Sequence, residues 1–523
     1  MEKRLACLII RDGWGHREET RGNAVAAANP PYINSLLQKK EFWTLLDASG
    51  EPVGLPDGYQ GSSEVGHLNM GAGRIVIQEL KRIDDGLRDG TFFRIPHWIE
   101  LMEYWRKNQG VLHLLGLLQN EGVHAHQEHL FKIMRQARRD NPAGKMTVHP
   151  FLDGRDTPPR SSPEFITALE QVMKDVGNAA IGTMMGRYFG MDRAKDYPLT
   201  DRAFRALVDA EATPFAGSPI EAIEAAWNSE KTPDGGEMVD EYIPPLKKEG
   251  YPGIRDGDAV FHFNYRQDRA IQLTQAFVED GYPGQRNRRP RVSFVGLTRY
   301  YDSFRQYLLA PMGEGGGMER LLGEVVADHN LKQLRIAETQ KFRHVTSFFN
   351  GKSTTPYPLE EQVEVKGRFD PATFAIHPEM EAEIVTDLLI EKYIPEKYPL
   401  IVLNYANCDM VGHTGNMEAA TQAVKIVDAN VARLNAELLR QGYEILVTAD
   451  HGNADEMIDL ETGLVKTSHT LAPVECFYVA NKPRFKVQQR RGKLADLAPS
   501  LLNLLELPVP PEMTATSLLD PIK

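Results

Sequence analysis

Residues 444–456, EILVTADHGNADE, decide how this chain is read. The apolar run from Glu444 to Thr448 has the composition of a buried strand; it stops at Asp450-His451, and Gly452 then turns the backbone. Two metal-capable side chains at the carboxyl end of a buried strand sit where open α/β sheets keep their ligands. Alone, an Asp-His pair is more often a solvated loop feature, but two other runs end the same way. RLACLII (4–10) leads into Arg11-Asp12-Gly13. PLIVLNYAN (399–407) leads into Asp409 and, four residues on, His413, a spacing that puts both side chains on one helical face or in one tight loop. Downstream, TSHT adds His469. Carboxylate with imidazole suits Mn²⁺ or Zn²⁺ and is unlike the all-oxygen cages of Ca²⁺. Six such residues are too many for one ion with an open position, so two ions are the better count. Paired ions can activate a nucleophile and stabilise the departing oxygen in phosphoryl transfer.

The nucleophile candidate is Ser63, in the glycine-rich stretch 51–74, which reads as a loop with one short helix. Ser62-Ser63-Glu64 has the form of a helix start, where the dipole and free N–H groups favour an alkoxide. Ser62 leaves the assignment open by one residue, and either serine also reads as a plain N-cap. His97, His262 and His377 read as structural, while His67 and His149 are undecided. Asp455 and Glu456 read as a solvated turn, the alternative being partners of the metal ligands.

At 523 residues the chain exceeds what one core usually supports. A net charge of -12 argues against a general nucleic-acid binder and makes any arginine cluster stand out. The three cysteines, Cys7, Cys408 and Cys476, are far apart and odd in number, which suits a reducing compartment without a disulfide framework. LACLII is too short for a signal sequence and no run approaches a membrane span, so a cytoplasmic protein without a membrane partner is expected.

Strand-like runs at 111–118, 145–152, 179–186, 259–265 and 291–297 alternate with helical stretches, and 331–339, 399–407 and 444–449 do so again further on. Such alternation predicts mostly parallel sheets covered by helices. The stretch 212–256 reads as irregular. The glycine run MGEGGGMER (312–320) reads as a hinge or an ordinary loop. The expected organisation is α/β, with a discontinuous unit, 1–78 plus 318–523, into which a second unit, 79–317, is inserted. Strand ends of the second unit carry His124, Arg155 with Asp156, Arg187, Arg193, Arg266 and Arg269. Five arginines at one rim of a sheet predict a pocket for phosphate and carboxylate, which guanidinium grips bidentately. His124 is placed to transfer protons near neutral pH.

DGWG (12–15), GNAVAAANP (22–30), SEVGHLNMGAGR (63–74), EGVHAH (121–126), FLDGRD (151–156), GRYFGMDR (186–193), FNYRQDRAIQL (263–273), QLRIAET (333–339), NYANCDMVGHTG (404–415) and ADHGNADEM (449–457) together resemble the cofactor-independent phosphoglycerate mutases of the alkaline-phosphatase superfamily, nearly end to end. The resemblance implies an alkaline-phosphatase-like metal domain carrying an inserted transferase domain. It also implies interconversion of 3-phosphoglycerate and 2-phosphoglycerate through a phosphoserine, in a monomer with two Mn²⁺ ions, Zn²⁺, Co²⁺ or Mg²⁺ being alternatives. By motif match, Asp409, His413 and His469 would hold one ion, and Asp12, Ser63, Asp450 and His451 the other, with Ser63 the nucleophile. His124, Arg155, Asp156, Arg187, Arg193, Arg266 and Arg269 would grip glycerate, Asp156 being a candidate proton carrier. Lys341, a surface lysine on its own sequence, would steady the moving phosphoryl group. Arg11, Ser62, Cys408 and the segment LAPVE after His469 depart from the family pattern, which bears on rate, metal preference and redox sensitivity. A phosphatase of the same superfamily and a non-catalytic metal-stabilised binding protein are the rival readings.

Overall fold

The computed structural model describes residues 4–310 and 318–522. The chain divides into two compact units, Met1–Gln78 with Gly315–Lys523, and Glu79–Glu314. Residues 312–317 of the glycine run, expected as hinge or loop, lie outside the described residues.

The first unit is built on an eight-stranded sheet. Its central strands Gln333–Glu338, Leu400–Tyr405, Ala6–Arg11 and Glu444–Thr448 are parallel neighbours, buried along their whole length. Near-continuous apolar runs are what a sheet covered on both faces requires. The parallel register sends the ends of all four strands to one edge: Ile10 lies opposite both Asn404 and Thr448. Val474–Val479 and Trp43–Asp47 then add antiparallel strands, and Glu360–Val365 closes the other side as a parallel edge strand. None of these three is in the sequence-based element set. The alternating, acidic EEQVEV of the edge strand carries little apolar signal. The helix Met417–Arg440 covers the sheet with Ala420, Ala423, Val424, Val427, Val431, Leu434 and Leu438, spaced as one helical face demands. Asn416 caps it, accepting from the Ala419 N–H.

The second unit has its own sheet of nine strands. Ala259–His262, Val111–Leu117 and Lys145–Leu152 form its parallel centre, extended by Ser293–Thr298 on one side and Thr183–Gly186 on the other. The expected strand 179–186 is broken at Gly182 into Ala179–Ile181 and Thr183–Gly186. The stretch 212–256, expected to be irregular, contains the helix Pro219–Ser229. Its start carries a capping box, Ser218 with Glu221, a signal present in the sequence but unread among prolines and acids. The expected fold class, α/β units with mostly parallel sheets, is the observed one. Among the described residues no helix is long and apolar enough to cross a membrane.

Candidate metal centre and anion pocket

Three strand ends and one helix start build the centre of the first unit. The helix Ser63–Ala72 begins with Ser62 as N-cap, its hydroxyl accepting from the Val65 N–H, so Ser63 is the first helical residue. Gly66 lets this helix approach the strand end, since a Cβ there would lie 2.9 Å from the Asp450 Cβ. Gly13, with φ +75°, does the same opposite Asp409, whose Cα and N would each lie 2.6 Å from an added Cβ. Ser63 is buried, and its Oγ lies 3.1 Å from Asp12 Oδ1, 2.9 Å from His451 Nε2 and 2.6 Å from Lys341 Nζ. Lys341 also donates to Asp12 Oδ1 at 2.7 Å and Asp409 Oδ2 at 2.6 Å. It is therefore buried in the centre, not at the surface as its own sequence context indicated.

Asp409, His413 and His469 converge. Asp409 Oδ1 lies 3.2 Å from His413 Nε2 and 3.1 Å from His469 Nε2, and the two nitrogens are 3.1 Å apart. The other ring nitrogens fix the tautomers. His413 Nδ1 meets the Thr467 carbonyl at 2.7 Å, His469 Nδ1 the Gly61 carbonyl at 2.8 Å, and His451 Nδ1 the Gly452 carbonyl at 3.2 Å. A carbonyl only accepts, so each Nδ1 carries hydrogen, and in the neutral ring Nε2 then presents the lone pair. Ring nitrogens and a carboxylate oxygen facing one another at these separations have the spacing of edges of a coordination polyhedron, with imidazoles oriented through their far nitrogens. His451 stands between the two sets: Asp409, His451 and His469 bring donor atoms within 4.8 Å of one another, and so do Asp12, His67 and Asp450. Asp450 Oδ2 has no hydrogen-bond partner among the described residues, which a cation would supply. The donor set fits divalent metal ions.

The electrostatics follow from burial and charge crowding. Burial works against the charge of Asp12, but Lys341 outweighs it and holds the carboxyl well below the usual range; Asp409 behaves alike. Burial, with Asp12 nearby, pushes Asp450 up. Lys341 is driven up against its own burial by Asp12 and Asp409 and stays an ammonium. Burial lowers His451 to about 3.

Residues not singled out complete the centre. Asn404 Nδ2 donates to Asp12 Oδ2 at 2.7 Å and Asn453 Nδ2 to Asp409 Oδ1 at 3.1 Å. Asp455, expected in a solvated turn, is buried instead; it accepts from Thr470 Oγ1 at 2.9 Å, and burial raises its carboxyl to about 6. Glu456 is half-buried and paired with Arg17 and Lys466.

In the second unit the expected residues gather after their strands. Arg187, at the start of a helical turn after Thr183–Gly186, is buried and bonds Asp153 Oδ1 at 2.6 Å and Asp156 Oδ2 at 2.5 Å. Arg193 and Arg266 share Asp268 at 2.6 and 3.2 Å, Arg155 meets Glu241 at 3.3 Å, and Arg269 donates to the Met191 carbonyl. Burial, then the charges of Arg187, Arg193 and Arg155, lower Arg269, so these guanidiniums lie within range of one another. His124 stands 4.0 Å from Asp156 and 3.8 Å from Asp268; burial, then Arg187 and Arg266, hold it near 4 and hence neutral at pH 7. The acids Asp153, Asp268 and Glu241 were not singled out, although the first two stand inside the arginine motifs.

The chain matches the Metalloenzyme superfamily over residues 4–509. It is 42% identical over 524 residues to 2,3-bisphosphoglycerate-independent phosphoglycerate mutase of Clostridium perfringens, covering 99% of this chain and 100% of that protein. It is 43% identical over 525 residues to 2,3-bisphosphoglycerate-independent phosphoglycerate mutase 2 of Methanosarcina acetivorans, covering 99% and 98%. The crystal structure of Leishmania mexicana phosphoglycerate mutase at low cobalt concentration superposes with a TM-score of 0.71 at 32% identity, covering 100% of this chain and 98% of that one.

Proposed function

The chain belongs to the 2,3-bisphosphoglycerate-independent phosphoglycerate mutase family of the Metalloenzyme superfamily, and from that premise we propose that it interconverts 3-phosphoglycerate and 2-phosphoglycerate through a phosphoserine on Ser63. The observation that carries this reading is Ser63 Oγ, buried at a helix start within hydrogen-bond distance of Lys341, His451 and Asp12. Asp409, His413 and His469 would hold one divalent ion, and Asp12, Ser63, Asp450 and His451 a second, Mn²⁺ being the ion we assign. Bound there, the ions would supply Lewis acidity and lower the pKa of the Ser63 hydroxyl.

The chain's own groups account for the rest. Ser63 Oγ forms a bond to phosphorus as the bond from phosphorus to one glycerate oxygen breaks. Lys341 donates to Ser63 Oγ throughout and offsets the charge gathering there. Ser63 reacts as its alkoxide, and the leaving oxygen takes a proton that the His124–Asp156 pair binds as the phosphoglycerate anion enters beside it and then delivers. The same pair then takes the proton of the other glycerate hydroxyl, which attacks the phosphoserine and restores Ser63. Arg155, Arg187, Arg193, Arg266 and Arg269 retain glycerate between the two transfers. A phosphatase, which discards its alcohol, needs no such grip. We propose a monomer, as the family resemblance implies. The three buried, unpaired cysteines suit a cytoplasmic setting.

The test is one assay. Purified protein with Mn²⁺ and 3-phosphoglycerate, without 2,3-bisphosphoglycerate, is expected to yield 2-phosphoglycerate. Stoichiometric inorganic phosphate would indicate a hydrolase, and no turnover a binding protein.

A further inference from the structure

Four histidines around the centre turn Nδ1 to a backbone carbonyl, and the fourth, His67, differs in what faces its other nitrogen. His67 is buried on the helix Ser63–Ala72, one turn after the nucleophile. Its Nδ1 lies 2.8 Å from the Ser63 carbonyl and 3.4 Å from Asp450 Oδ2, both acceptors, so Nδ1 carries the hydrogen. Its Nε2 lone pair faces Asn404 Nδ2 at 3.1 Å, an amide donor, where the other three meet the Asp409 carboxylate or the Ser63 hydroxyl. The same Asn404 nitrogen donates to Asp12 Oδ2 at 2.7 Å. Turning the amide over would set its oxygen against that carboxylate oxygen, so the amide orientation is dictated as well. Asn404 in turn is fixed by the sheet, on Leu400–Tyr405 between Ile10 and Ala337.

One imidazole therefore bonds the nucleophile's carbonyl directly and reaches the Asp12 carboxylate through a single amide, while Asp450 Oδ2, 3.4 Å away, stays without a hydrogen bond among the described residues. We propose that His67 and Asn404 are positioning residues for the Ser63 half of the centre. They hold Asp12 with Oδ2 occupied and Oδ1 turned to Ser63, and they tie that carboxylate to the helix start through the Ser63 carbonyl. Among the described residues, no hydrogen bond of His67 or Asn404 goes to Asp409, His413 or His469; Asp12 is joined to Asp409 only through Lys341. The Ser63 half should thus depend on the brace for metal affinity, and the Asp409 half should not. The proposal rests on the two-ion reading above.

Calorimetry of metal-stripped protein with Mn²⁺ tests it without reference to turnover. His67→Ala and Asn404→Ala are each expected to weaken one of two binding steps by about 10–100-fold, the usual effect of removing a group that orients a ligand, and to leave the other unchanged. In a His413→Ala background, where the Asp409 half is disabled, the remaining step is the one that should weaken. His67→Gln, whose Oε1 can accept from Asn404, should restore part of the loss. ¹⁵N NMR of wild-type protein, which needs no variant, should show the Nδ1–H tautomer at His67. Equal weakening of both steps, an unchanged Ser63-half step, or the Nε2–H tautomer would each overturn the proposal. A wild-type protein that binds only one ion would instead sink the two-ion reading.

Discussion

Lys341→Met tests whether the buried ammonium is the cation that lets Asp12 and Asp409 be charged. The variant keeps the side chain's length and removes three hydrogen bonds, to Asp12, Asp409 and Ser63, at 2.6–2.7 Å. Removing one partner of a buried ion pair costs about 3–5 kcal/mol. An independent bound agrees: forcing one carboxyl to protonate at pH 7 raises its pKa about 3 units, or about 4 kcal/mol. For a unit of this size that is on the order of 6–10 °C in melting temperature. The shift should appear in full in EDTA and shrink with Mn²⁺, because a bound ion neutralises the same carboxylates and adds about 2.7 kcal/mol at 100 times its Kd. With metal saturating, kcat should still fall about 10²–10³-fold, the usual loss of one donor aimed at developing charge. Differential scanning calorimetry in EDTA and in Mn²⁺, beside a 2-phosphoglycerate assay, reads both effects. Equal melting temperatures for variant and wild type in EDTA would refute the charge assignment.

Ser63→Ala should abolish both phosphoenzyme, read by radiolabel, and isomerisation, whereas Ser62→Ala should cost about 1 kcal/mol as a lost N-cap and keep most activity; the reverse result would shift the nucleophile by one residue. Arg187→Met should raise KM by about 10–100-fold, the worth of one charge-assisted contact of about 1.5–3 kcal/mol, without changing Mn²⁺ binding measured by calorimetry; an unchanged KM removes Arg187 from the pocket. His262 is buried with neither ring nitrogen partnered among the described residues, and burial lowers it to about 3. Its unfolded value is about 6.5, so its contribution is complete above that pH and is lost as pH falls toward 3, about 2 kcal/mol being gone at pH 5. His262→Leu should therefore flatten the fall in urea midpoint of this unit between pH 7 and 5, and an unaltered slope would place the acid sensitivity elsewhere.

What the sequence shows and what it hides have a common physical cause. Asp12, Asp450 and His451 were legible because a buried strand announces itself by an apolar run, and its carboxyl end is a fixed place relative to the sheet. Ser63 was legible as a helix start, and only the structure separates cap from first residue: Ser62 takes the Val65 N–H, which frees Ser63 to turn inward. His67, Asn404 and Asp455 were not legible, since their roles lie in partners brought close by the fold. Asn404 reads as one more strand residue until Asp12, 392 positions away, is set beside it. Lys341 shows the same limit: its chemistry comes from Asp12, 329 positions away, and Asp409, 68 positions away, and no local pattern marks it. In the second unit the arginines stood out against an acidic background, while their partners Asp153 and Asp268 merged into that background.

Arg11, the departure from the family pattern beside Asp12, would be expected to place a fixed positive charge near the metal carboxylates. The fold gives that charge partners of its own. Arg11 Nε donates to the Thr448 carbonyl and Nη2 to Glu475 Oε2 at 3.0 Å, while the guanidinium carbon lies 4.5 Å from the centre of the Trp14 ring. Glu475 takes His16 Nδ1 on its other oxygen at 2.7 Å, and although burial opposes its charge, His16 and Arg11 keep its pKa low. Arg11 thus belongs to a triad, with buried Glu475 and half-buried His16, that ties the strand Ala6–Arg11 to Val474–Val479 across Glu444–Thr448. Such a group is close to neutral in stability against an apolar replacement of the whole, yet costly to break by one member. Cys408, the departure beside Asp409, is likewise fully buried, and burial pushes its thiol up, which keeps it protonated and a poor ligand. Both departures have partners or burial of their own, so the converging donors of Asp12, Asp409, His413, Asp450, His451 and His469 would meet the proposed ions with the charge their own set dictates.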